Sequence, residues 1–185
     1  MSHFATGSNM SQIPINVKRL KENAKLPEYA TPGSHCFDLR VSFEWNDKIE
    51  CFSLTAGGRS IGHIYPEKLA CRGIGLTLYP NHVYKLPTGL KFEIPYGYGM
   101  KVFIRSSLAY RHGMTLVNSV GVIDSDYRDE LFVLVKADSK YLLIEGDRIA
   151  QGEIVRSKIK PLFREVDDVL LSDSRIGGIG STGVE

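Results

Sequence analysis

Residues 105–130 read RSSLAYRHGMTLVNSVGVIDSDYRDE, and the rest of the chain is organised around this stretch. It opens on Arg105-Ser106-Ser107, a guanidinium fork beside two hydroxyls, which is side-chain chemistry suited to phosphate oxygens. Residues 117–124 then set β-branched side chains around Gly121, a pattern of strand, turn and strand that leaves backbone groups free at the bend. Such a bend can read the flat edge of a base. Asp124 and Asp126 stand two apart, so on an extended strand they point the same way and can hold a water or a hydrated metal ion. Tyr127 adds a flat ring beside them, although an aromatic after a strand is by itself more often a core residue.

Outward from this stretch the chain reads as β-structure. Residues 76–80, 83–95 and 100–104 are short strand-like runs separated by proline and glycine turns, and 131–137 and 141–144 continue them. No long helical pattern interrupts, so the expected architecture is all-β, a jelly-roll barrel or similar. Residues 13–20 alternate as a first strand does; residues 26–34 are turn-rich, and 36–41 resume the alternation with Asp38 near the start. Within 43–73, Gly57, Gly58 and Gly62 mark turns, the proline-first, glycine-last segment 66–73 predicts a short helix, and the single tryptophan, Trp45, is expected to anchor the segment by burial. Residues 1–12 are small and polar without periodicity, as a flexible leader would be. The main domain is placed at 13–165, and residues 166–185 have the composition of a mobile arm.

Composition narrows the partners. The chain has 185 residues, 43% of them hydrophobic, enough for one domain with a real core. Its net charge is only +2, from 23 basic and 21 acidic residues, so no strong field calls for a nucleic-acid or membrane partner. Three cysteines without a CxxC pair argue against a disulfide framework and point to a reducing, cytoplasmic setting. Cys51, His63, Cys71 and His82 lack finger-like spacing and are not read as a metal site. No apolar run approaches the roughly 18 residues of a membrane span.

Five stretches resemble the five motifs of the trimeric dUTP nucleotidohydrolases (dUTPases), in the family's order: PEYATPGSHCFDLR at 27–40, RSSLAYRHG at 105–113, NSVGVIDSDYRDE at 118–130, GDRIAQ at 146–151 and RIGGIGSTG at 175–183. LPTGLKFEIP at 86–95 also resembles the family's hairpin ahead of the second motif. The resemblance implies a distorted jelly-roll barrel, a homotrimer with sites at subunit interfaces, and hydrolysis of dUTP to dUMP and pyrophosphate with Mg2+ on the triphosphate. That reaction limits uracil incorporation into DNA and supplies dUMP for thymidylate synthesis. By resemblance, Asp124 is the general base acting on the water that attacks the α-phosphorus. Arg105, Ser106, Ser107 and Gln151 hold phosphate oxygens or ordered water; Arg175, Gly180, Ser181 and Thr182 of the arm complete the clamp. Backbone groups of Gly121, Val122 and Ile123 with the Asn118 amide read uracil. Tyr127 lies against the deoxyribose and leaves no space for a 2'-hydroxyl, and Asp38 acts on the metal through water.

The chain also departs from the family pattern. His35-Cys36 stands where Ala-Gly is usual, Asp129 replaces a glycine and brings a charge near the phosphates, and Ile179 replaces an aromatic ring that covers the base. Residues 43–73 exceed the family's usual linker and form a candidate insertion for subunit or protein contacts. A dCTP deaminase, the rival on the same fold, needs a glutamate on the strand after the third motif, where this chain has Leu131-Phe132-Val133-Leu134-Val135. A regulatory nucleotide-binding protein acting through the insertion is the rival from another class.

Overall fold

The computed structural model describes residues 12–55, 58–157 and 159–168. In chain order the strands are β1 (Asn16–Arg19), β2 (Glu28–Tyr29), β3 (Phe37–Arg40), β4 (Ile49–Thr55), β5 (Gly58–Ile64), β6 (Glu67–Leu69), β7 (Gly73–Leu78), β8 (His82–Pro87), β9 (Leu90–Glu93) and β10 (Tyr98–Ile104). A short helix α1 (Ser106–His112) follows, then β11 (Thr115–Leu116), β12 (Gly121–Ile123), β13 (Phe132–Lys136), β14 (Tyr141–Ile144) and β15 (Arg148–Arg156). The fold is the expected all-β, jelly-roll-like one. Two five-stranded antiparallel sheets, ordered β12-β10-β15-β3-β2 and β11-β13-β8-β4-β5, are joined by a three-stranded sheet β14-β7-β6 and the pair β1-β9.

One apolar core draws on every sheet: Leu39 and Met100 from the first, Tyr84, Leu86 and Val133 from the second, Leu76, Leu78 and Leu143 from the third, Leu90 and Phe92 from the fourth. Alternation assigns the faces. In β10, Met100 and Val102 are buried around exposed Lys101, and in β13, Val133 and Val135 flank exposed Leu134. Helix α1 stops because Gly113 takes a left-handed conformation (φ 58°), its N–H and that of Met114 closing back on the carbonyls of Ala109 and Leu108.

Three local expectations differ from the structure. Residues 117–124 do not form a hairpin on themselves: β11 pairs with β13 and β12 with β10, so the segment crosses from one five-stranded sheet to the other. The crossing is tight because Ser119 adopts φ 59° and its N–H donates to the Leu116 carbonyl. Gly121 suits this close approach, since a Cβ would lie 3.1 Å from Cβ of Val102 and press the two strands apart by a few tenths of an ångström. Second, 67–69 is strand β6 rather than helix, drawn into pairing with β7. Third, Trp45 is 54% exposed, in a turn closed by Asp47 N–H to the Glu44 carbonyl, with Lys68 Nζ 4.6 Å from its ring centre. Phe43 takes the buried place instead. The 43–73 stretch is thus built into the sheet: β4 pairs with β8 through Cys51, Phe52 and Ser53, and Ile49 and Cys51 reach the core.

Candidate active site

Among the described residues strand β12 lies at the edge of its sheet and pairs with β10 alone, so one backbone edge of Gly121, Val122 and Ile123 is left unpaired by them. These three residues, with Asn118, Asp124 and Tyr127, line a cleft of about 280 Å³. The structure therefore brings together every residue expected at the base and sugar. Val122 points its side chain to solvent, at 67% exposure, and can contribute only through its backbone. Asp124 follows the end of β12, exposed, and its carbonyl accepts the Tyr127 N–H at 3.2 Å. That turn carries Asp126 away from the extended geometry that would have aligned the two aspartates. The Tyr127 hydroxyl donates to the Glu130 carbonyl at 2.8 Å, which fixes the ring. Burial, then the charges of Asp129 and Glu130, push its ionisation upward, so it stays a neutral donor at ordinary pH.

Asp129 itself lies 3.7 Å from Lys91, at 84% side-chain exposure. Its charge has a cation beside it on the surface.

The phosphate-binding candidates gather at the other end of β10. Arg105 is the N-cap of α1 with no side-chain cap, and Ser106 and Ser107 are exposed in the first turn. First-turn N–H groups have no helical acceptor, so this end offers hydroxyls and backbone donors together. Asp38 on β3 and Gln151 on β15 are directly paired across the ladder, and Gln151 pairs on its other side with Phe103 of β10. Asp38 is only 13% exposed; Arg105 Nε forms an ion pair with one of its oxygens at 3.1 Å, and the other oxygen accepts Arg148 Nη1 at 2.9 Å. Both carboxylate oxygens are thus engaged. Among the described residues no group of three His, Cys, Asp or Glu is placed to hold a metal ion.

Register fixes how far apart the two clusters stand. Ile123 faces Met100, so Asp124 stands beside Gly99, six positions (105 − 99) before Arg105. Six residues of strand span about 20 Å.

The family model for dUTPase matches residues 71–183. The deoxyuridine 5'-triphosphate nucleotidohydrolase of Caulobacter vibrioides is 37% identical over 183 residues, covering 95% of this chain and 100% of the relative. That of Desulfitobacterium hafniense is 35% identical over 179 residues, covering 95% and 99%. The chain belongs to the dUTPase family. Among solved structures, the Staphylococcus bacteriophage 80alpha dUTPase with dUpNHpp superposes with a TM-score of 0.66 at 20% identity, covering 94% of this chain and all of that one. An aspartate-to-asparagine mutant of the dUTPase from S. aureus phage phi11, described with a coordinated structural Mg(II) ion, gives 0.62 at 18% identity, covering 84% and 98%. Both likenesses are of fold.

Within this dUTPase-family chain, the structure adds site neighbours the sequence did not single out. Lys85 of β8 and Phe132 of β13 line the cleft, with Lys85 Nζ 4.5 Å from the Phe132 ring centre. Arg148 joins Asp38 across 110 positions of sequence. Its one legible sign is its place inside GDRIAQ. Arg175, Gly180, Ser181 and Thr182 lie outside the described residues, as do Ile179 and most of the 166–185 arm.

Proposed function

We propose that the chain hydrolyses dUTP at the α-phosphorus to give dUMP and pyrophosphate. The observation that carries this is the pairing, in a dUTPase-family chain, of a base-sized cleft along an unpaired backbone edge with a separate cationic, hydroxyl-bearing helix start. The unpaired edge of Gly121 to Ile123 and the Asn118 amide supply donors and acceptors for uracil, and the narrow crossing leaves no room for a 5-methyl group. The Tyr127 ring, fixed by its bond to Glu130, lies against the deoxyribose and excludes a 2'-hydroxyl. Asp124 accepts the proton of the attacking water. Arg105, Ser106, Ser107 and Gln151 take phosphate oxygens, and Arg175, Gly180, Ser181 and Thr182 close over them from the arm. No carboxylate enters the cleft from β13, whose lining residues are Phe132, Val133 and Leu134, so deamination lacks its acid and base.

The donor set fits a magnesium ion that arrives on the triphosphate with its waters, since no cage of acidic side chains is offered among the described residues and Asp38 retains lone pairs only for outer contacts. Bound there, Mg2+ supplies charge neutralisation for the departing pyrophosphate. The span of about 20 Å along β10 exceeds the reach of a triphosphate, which supports a homotrimer in which Asp124 of one chain serves phosphates held by Arg105 of a neighbour. Hydrolysis in 18O-labelled water tests the reaction: label in dUMP is expected, and label in pyrophosphate would overturn attack at the α-phosphorus.

A further inference from the structure

An arginine and a carboxylate left to themselves pair through two parallel hydrogen bonds, which would turn the Arg105 fork inward. Here that arrangement is not formed. Arg148 Nη1 donates to Oδ2 of Asp38 at 2.9 Å, Arg105 places its Nε 3.1 Å from Oδ1, and Arg105 Nη1 has, among the described residues, the distant Arg148 carbonyl at 3.5 Å. The placement of Arg148 depends on a bulge. Arg148 and Gln151 are three positions apart and on a regular strand would point to opposite faces, but the register shifts between Arg148 and Ala150, so Arg148 pairs with Arg40 and Gln151 with Asp38. Positions 38 and 40 share a face, so both side chains are brought to it, as bulges beside active sites do. Two guanidiniums on one carboxylate also leave the cluster with a net positive charge.

We propose that Arg148 is a positioning residue: by holding the second oxygen of Asp38 it keeps Arg105 in a single-point contact and its outer edge turned to the triphosphate. This rests on the reading of Arg105 as a phosphate ligand in a dUTP hydrolase. The test is a cycle of the full chain, R148Q, D38N and D38N/R148Q, with R148K as a second variant, measuring kcat and KM for Mg-dUTP, thermal midpoint and oligomeric state. R148Q is expected to lower kcat/KM on the order of 10- to 100-fold with a raised KM, the size typical of a misaligned contact group, with R148K falling between it and the native chain. In the D38N background, R148Q is expected to change kcat/KM less than about 2-fold, because its route to Arg105 is already cut. Native turnover by R148Q, or the same loss in both backgrounds, would overturn the inference while leaving dUTP hydrolysis standing. Absence of dUTP turnover in the native chain would overturn the functional reading and this inference together.

Discussion

The separation of Asp124 from Arg105 predicts that two dead variants restore each other. Arg105→Ala removes the proposed phosphate fork and Asp124→Asn the proposed base, and each is expected to be inactive alone. The ladder sets these residues six positions apart along β10, about 20 Å, so in the proposed homotrimer one site takes its fork from one chain and its base from another. In trimers reassembled from equal amounts, a site works when its first contributor is the D124N chain and its second the R105A chain. Each condition has even odds, so about one quarter of the native activity per site returns. The assay is pyrophosphate release after the variants are unfolded together and refolded, with size-exclusion chromatography to verify the assembly. Activity no higher than the sum of the parents, in a mixed assembly shown to have exchanged chains, would refute a shared site.

Two further predictions concern packing and pH. At Gly152 a Cβ would sit 2.6 Å from Cζ of Phe37 and closer still to its Cε2, between β15 and β3, so Gly152→Ala is expected to destabilise by about 1–3 kcal/mol in urea unfolding; an unchanged midpoint would contradict the tight approach of these strands. Glu145 is pushed upward in pKa, first by burial and then by Asp147, against the opposing effects of Lys25, the Asn23 donor and Lys21. A raised folded value favours the protonated form, so this stabilisation is complete below the ordinary glutamate value of about 4.3 and is lost as pH climbs through the folded value. Glu145→Gln, which keeps an acceptor for Asn23, is therefore expected to gain thermal stability over the native chain as pH rises from acid to neutral; a difference constant with pH would count against it.

The sequence made the base cleft legible because Asn118, Gly121 to Asp124 and Tyr127 are neighbours in the chain, and a short crossing keeps them neighbours in space. It made the all-β architecture legible through alternation and turn residues. What it hid depends on distant pairing. Residues 117–124 look like a local hairpin, yet their partners are β10 and β13, which no local pattern announces. Ser119 gives no sign of its left-handed backbone, unlike a glycine. Residues 66–73 carry helix punctuation, but β7 offers a ladder and the strand wins. Arg148 reaches Asp38 only because β3 and β15 pair with a bulge, and Asp129 meets Lys91 from β9. The charge at Asp129 thus has a lysine 3.7 Å away that no local pattern announces.

Pyrophosphate release from dUTP, dCTP, dTTP and UTP with magnesium, in the native chain and in Asp124→Asn, tests the central claim most directly. The account predicts turnover of dUTP far above the other three, lost in the variant. Equal turnover of dCTP or UTP, or an Asp124→Asn chain as fast as the native one, would contradict it.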